Sequence, residues 1–259
     1  MFTVYHFLWF AISAGLIAGS LVFLVRRRPP LEAVLTACCA VCVASELVKD
    51  FSVIRLVPSA DGSLLLPYME MQHLPLHLCS IQILLIFYAR FARPGRRRTA
   101  VLAFMYPTCL IGAALALAMP SIFTTSIQAS QAFTHPLAYQ FFLYHSMLVV
   151  LGAYIPLCGQ VELRPRHYLS TLGLLGGLAV LSLYLNSMFA AATYQDGELV
   201  SVEYATNFFF TYKPPLPIPL STPGQWYLYL AVICLLAAAL VGLCYLPVFR
   251  RARRPAARR

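Results

Sequence analysis

The sequence predicts an all-α integral membrane fold of seven transmembrane helices, and two observations carry that reading. Hydrophobic residues make up 60% of the 259-residue chain and charged residues only 11%. An ordinary globular domain has about 45–50% apolar and about 25% charged residues, and so few charges could not cover the outside of a water-soluble fold. The second observation is that apolar runs long enough to cross about 30 Å of hydrocarbon, at about 1.5 Å per residue, recur along the chain. A cytosolic enzyme, a disordered chain and a disulfide-stapled secreted domain are excluded.

The first run is Val4–Val25. It lacks a basic leader, and Arg26-Arg27-Arg28 follows where a small-residue cleavage site would stand, so it reads as a retained span rather than a signal peptide. Leu31–Val48 and Leu74–Phe91 follow, both with polar residues toward one end. The remaining four are Thr99–Met119, Leu137–Cys158, Tyr168–Met188 and Trp226–Leu246. Their apolar residues are continuous, not alternating with period two, which argues against a transmembrane β-barrel. The domain reading is one seven-helix unit over residues 1–249 and a basic cytoplasmic tail over 250–259.

Charge sets the orientation. Sixteen of the 19 basic residues follow odd-numbered spans, at Arg26–Arg28, Arg90–Arg98, Arg164 and Arg166, and from Arg250 onward. Lys49, Arg55 and Lys213 fall on the other side. The positive-inside rule then places the N-terminus outside and the C-terminus in the cytoplasm. This distribution accounts for the net charge of +10 without a nucleic-acid partner. No long internal repeat supports an inverted-repeat transporter. Three longer outer segments carry most of the irregular sequence: residues 49–73, 120–135 and 190–224. The third ends in a proline-rich run, Lys213 to Pro219, that favours an extended path.

Cysteine offers little chemistry by pattern. Seven of the eight lie in apolar runs, and Cys39-Ala40-Val41-Cys42 has no second pair or nearby histidines, so packing is the better reading and no metal or cofactor is expected. Gly173 and Gly177 form a small-xxx-small pair that predicts close helix contact.

Polar residues inside spans cost about 2.5–3.5 kcal/mol each near a helix centre on insertion scales, so they need partners or a cavity. Glu46 sits near the outer end of the second span, with Lys49 one turn on. His73, His77 and Ser80 have the i, i+4, i+7 spacing of one helical face in the third span, with Cys79 and Gln82 beside it. His135 stands at the entrance to the fifth span and His145 two to three turns deeper; Asn186 and Asn207 close the outer end of the sixth span and the loop after it. All gather toward the outer leaflet, and the inner halves of the spans hold almost no ionisable group. This predicts a polar pocket open to the outer surface, in which Glu46, His77 and His145 converge.

The run His73-Leu74-Pro75-Leu76-His77-Leu78-Cys79-Ser80 resembles the signature of the bacterial YwaF-like integral membrane proteins. His135 and His145 flanking Phe141-Phe142 match as well, as does Asn207 followed by Lys213-Pro214-Pro215 and Gln225-Trp226-Tyr227. More distantly, the pattern is similar to that of animal multi-pass, cysteine- and histidine-dependent phospholipid acyltransferases, in which Glu-x-x-Lys, Pro-Cys-His-Leu and a later intramembrane histidine recur. The matching positions are Glu46 with Lys49, His77, and His145; the animal cysteine would fall at Leu76, with Cys79 three residues on. The resemblance implies a lipid acyltransferase or acyl hydrolase in a bacterial plasma membrane, with membrane lipids as partners and a phospholipid as substrate. Cys79 would be the nucleophile, His145 the base and Glu46 its orienting carboxylate. His77, Lys49, His135 and Asn207 would hold substrate. Binding or transport of a small molecule or ion, without catalysis, is the other reading the polar cluster permits.

Overall fold

The computed structural model describes residues 2–120, 122–215 and 218–253, and these are mostly helical. Among the described residues, six helical stretches are long and apolar enough to cross a membrane. They are α1 (Val4–Arg27), α2 (Leu31–Val53), the broken helix Arg96–Ala118, α7 (Pro136–Leu157), α8 (Arg166–Met188) and α9 (Pro223–Arg253). The third predicted span is shorter than read. Its helix, α3, runs only from Leu78 to Phe91, 14 residues or about 21 Å. Pro75 explains the late start: it has no N–H to donate, and Leu74 before it is extended at ψ 144. Because helix begins only at Leu78, His73, His77 and Ser80 do not share a helical face. His73 ends a 3-10 turn over Met71–His73, and His77 is the N-cap of α3.

α7 is the hub. It packs against α1, α2 and the broken helix, and Phe142, Leu148, Leu151 and Ile155 along it are completely buried. Trp9 of α1 stacks on Phe142 at 4.9 Å between ring centroids and donates its indole N–H to the Ala132 carbonyl at 2.7 Å. At the other end of the bundle the Tyr154 hydroxyl donates to the Pro29 carbonyl at 2.6 Å, and Leu31 N–H to the Gln160 side chain at 3.0 Å.

The broken helix consists of α4 (Arg96–Pro107), a π-helical turn (Thr108–Gly112) and α5 (Ala113–Ala118), and a single-turn helix, α6 (Ile122–Thr125), comes before α7. Pro107 cannot donate to the Ala103 carbonyl four residues back, and the Tyr245 hydroxyl of α9 fills that place at 2.9 Å. The wider turn after Pro107 lets Thr108 and Cys109 meet α3. Gln82, which is buried, donates to the Thr108 hydroxyl at 3.0 Å and accepts from the Cys109 thiol at 3.2 Å. Gly173 and Gly177 differ from the sequence reading: a Cβ at either would meet nothing within 4 Å, so this stripe of α8 packs against no other helix of the described chain.

The loops at the arginine-poor end hold structure that an all-α reading leaves out. β1 (Arg55–Pro58) and β2 (Leu65–Tyr68) form one antiparallel hairpin; β3 (Ala190–Gln195) and β4 (Glu198–Tyr204) form another. The second turns at Asp196-Gly197, both at positive φ, and lies ahead of the proline run for which an extended path is expected. In the first, the Asp61 carboxylate accepts from Ser59 and Ser63, which holds its pKa down at about 2. Of the predicted tail, Arg250–Arg253 continue α9, while residues 254–259, like Leu216 and Pro217 in the proline run, lie outside the described part of the chain.

After β4 the chain is stapled to α8 by Asn186. Its amide donates to the Phe208 carbonyl at 3.2 Å and the Thr211 hydroxyl at 3.1 Å. Its carbonyl accepts from Thr206 and from Phe208 N–H, both at 2.9 Å. Asn186→Ala is expected to lower stability by at least about 1–3 kcal/mol, because it strands buried partners. Thermal melting in detergent, with proteolysis of the 206–213 segment, checks this; an unchanged midpoint would refute the staple.

Candidate functional site

α3 begins inside the bundle. Its 14 residues make about 21 Å of helix, shorter than the about 30 Å of hydrocarbon a spanning helix crosses. The segment before it is irregular, and irregular backbone at membrane depth is tolerated only against protein or a wet cavity. The N–H groups of Leu78, Cys79 and Ser80, the ordinary orphans of a helix start, make no hydrogen bond to another described residue. Cys79, at the second helical position, is half-buried. Leu76, where the animal cysteine would align, precedes the helix and donates its N–H to the Leu74 carbonyl at 2.7 Å. Cys79 therefore does not sit one helical turn beyond Leu76.

The other residues form two groups. In the first, Lys49 is ion-paired with Glu46 one turn back on α2 and lies 3.9 Å from Asp50. Lys49 and His73 are within electrostatic reach of His77, whose ring meets Phe208 edge-on at 5.0 Å. His73 is held below its ordinary pKa by burial, with Glu70 pulling the other way and Lys49 and Arg55 adding to burial. In the second group, Tyr144 donates its hydroxyl to the Cys79 carbonyl at 2.8 Å. Glu46, Cys42, Cys79 and Cys109 are all within electrostatic reach of that tyrosine.

His145 is 8% exposed and faces the protein rather than lipid. It shares a helical stripe with Gly152, which packs on Leu110 of the π turn. Its Nδ1 lies 2.7 Å from the Phe141 carbonyl. Only a protonated Nδ1 can donate there, so in the neutral ring Nε2 is the bare, basic nitrogen. No hydrogen bond joins His145 to Glu46, His77 or Cys79: Glu46 is engaged by Lys49 and His77 by Phe208.

Two predicted substrate ligands have structural work. Asn207 accepts from Tyr212 N–H and Lys213 N–H and donates to the Lys213 carbonyl at 2.7 Å, closing its own loop. His135 is the N-cap of α7, its Nδ1 accepting from Leu137 N–H at 3.3 Å ahead of Pro136 at the first helical position. His135 also lines a polar cleft of about 100 Å³ with Arg55, Tyr68, Glu70, Gln72 and His73. Sequence spacing misses this cleft because Arg55 and Tyr68 reach it through the β1–β2 hairpin. Among the described residues no group of three or more His, Cys, Asp or Glu side chains is arranged to hold a metal ion.

These features define a multi-pass helical membrane protein in which Glu46, Lys49, His73, His77 and Cys79 lie toward the arginine-poor ends of α2 and α3. The chain belongs to the TMEM164 family, whose model matches residues 1–245. No curated protein and no solved structure matches it. The matched family bears this name rather than that of the YwaF-like proteins its motifs resemble.

Proposed function

We propose that this protein carries out acyl transfer or acyl hydrolysis on a phospholipid, with Cys79 as nucleophile and His145 as base. The observation that supports this most directly is the position of Cys79. It is a thiol in the first turn of a helix starting at membrane depth, beside free backbone N–H groups and the helix's positive end. The His145 tautomer and the likeness of Glu46, Lys49, His77 and His145 to the animal acyltransferase pattern add to it. His145 Nε2 takes the thiol proton, and the thiolate attacks the ester carbonyl. Cys79 and Ser80 N–H groups steady the oxyanion. The thioester forms as the lysolipid leaves with the proton from His145. A lysolipid hydroxyl or water then repeats the steps in reverse and frees the thiolate. Closure requires the thiol and imidazole, unbonded in this structure, to approach on substrate binding, as catalytic contacts often do.

The test is acyl exchange between labelled phospholipid and lysophospholipid in reconstituted vesicles. Release or exchange of label supports the proposal; none with any phospholipid class overturns it. In that case the polar cleft at Arg55, His73 and His135 favours binding of a small polar solute without catalysis.

We also propose seven crossings, with the irregular Leu74–His77 segment and α3 together making the third, the N-terminus outside and the C-terminus in the cytoplasm of a bacterial cell. The arginine distribution supports this orientation. Reporter fusions at Arg97 and Ser201 are expected to read cytoplasmic for the first and external for the second. Matching signals would overturn the map.

A further inference from the structure

A groove of about 400 Å³ opens between α1, α2 and α7; neither Cys79 nor His145 lines it, and its walls are almost entirely apolar. Gly19 and Phe23 form one side, Ala37 and Val41 the second, Met147 and Val150 the third. The α2 wall, Val34 to Val41, gives it a depth of about 10 Å along the bundle. A Cβ at Gly19 would meet nothing within 4 Å, so the glycine leaves this wall open.

The α1 wall continues directly into charge. Gly19 and Ser20, Phe23 and Leu24, then Arg27 repeat along one stripe of the helix, and Arg28 follows at once as its C-cap, at positive φ. Both arginines are exposed, and neither has an ion pair among the described residues. Glu32, the nearest acid in sequence, is engaged by Arg98 at 3.1 Å. Positive-inside topology asks only that basic residues lie on this side of the membrane. It does not ask that two unpaired guanidinium groups stand at the foot of an apolar groove.

We propose that this groove binds one acyl chain of an anionic phospholipid from the leaflet on the arginine side, with the lipid phosphate held by Arg27 and Arg28. The apolar walls are solvated by acyl chains at that depth, and guanidinium is suited to bidentate phosphate contact. The inference is independent of acyl transfer at Cys79, whose site lies toward the opposite leaflet.

The experiment uses the full chain reconstituted in mixed phosphatidylglycerol and phosphatidylcholine vesicles, extracted in mild detergent, with bound lipid read by native mass spectrometry. Wild type is expected to retain phosphatidylglycerol over phosphatidylcholine. Arg27→Gln with Arg28→Gln is expected to weaken retention more than tenfold, at about fivefold per basic residue near the surface. Gly19→Phe fills an open space and is expected to displace lipid without altering elution or melting. Equal retention of both lipids by wild type overturns the headgroup assignment. Full phosphatidylglycerol retention by Gly19→Phe, with loss only on removing the arginines, means adsorption to a charged surface and overturns the groove.

Discussion

His145→Ala is expected to lower acyl exchange by about 10²–10⁴-fold while leaving the protein folded, the usual loss when a general base is removed. His145 is the better base than His135 on chemical grounds. His135 uses Nδ1 to cap α7. His145 gives Nδ1–H to the Phe141 carbonyl and keeps Nε2 unused, so the basic nitrogen is fixed and aimed away from its own helix. Cys79→Ser is expected to abolish exchange and to remove the acyl-enzyme thioester from intact mass spectra of protein quenched during turnover. The serine variant keeps the size and the backbone N–H groups of the first turn of α3, and should melt with wild type. Equal exchange by Cys79→Ser would remove the covalent route, and equal exchange by His145→Ala would remove the base. Leu76→Ala is the control: it precedes the helix and is expected to leave exchange within about twofold, since conservative changes away from reacting groups rarely cost more than about 0.5 kcal/mol.

Most of the helical architecture is legible because hydrocarbon demands long apolar runs: α1, α2, α8 and α9 contain the stretches read as spans, and α7 contains its stretch up to Leu157. The third span is misjudged for a local reason. Hydropathy does not distinguish an extended apolar residue from a helical one, so Leu74 to Leu76 look like the start of a helix that Pro75 delays to Leu78. The same proline removes the supposed His73–His77–Ser80 face. Both hairpins are signalled by Asp-Gly pairs, Asp61-Gly62 and Asp196-Gly197, a strong short-range hairpin mark. Proline content in the second loop hides that signal.

The candidate site is less legible, because spacing gives height along a helix but not the competing partners. Glu46 reads as an orienting carboxylate, yet Lys49, one turn on, is the group it meets. Asn207 reads as a substrate ligand, and its own loop uses both ends of its amide. Tyr144 has no distinguishing motif and lies in an aromatic-rich stretch of α7. Only the tertiary fold, in which α3 packs on α2, α4 and the π turn, brings its hydroxyl to the Cys79 carbonyl.

Gly152→Ala is expected to destabilise the fold by about 3 kcal/mol, at the severe end for overpacking, and Gly152→Val by more. A Cβ at Gly152 would stand 2.5 Å from the Leu110 amide nitrogen and 2.9 Å from its Cα, so backbone, not a flexible side chain, is in the way. One of the two helices must therefore move. Leu110→Ala cannot rescue the variant, because the closest atoms are those every residue has. Gly173→Ala and Gly177→Ala are the comparison: their Cβ atoms meet open space, and alanine's better helix propensity, worth up to about 1 kcal/mol, should leave stability equal or higher. Denaturation midpoints in detergent for the four variants separate a close helix contact from a glycine-rich stripe, and equal midpoints for Gly152→Ala and Gly173→Ala would refute the contact. Because His145 is two turns from Gly152 on the same stripe, a displaced α7 also turns the imidazole. Gly152→Ala protein that remains folded is thus expected to lose exchange activity although Gly152 carries no chemistry of its own.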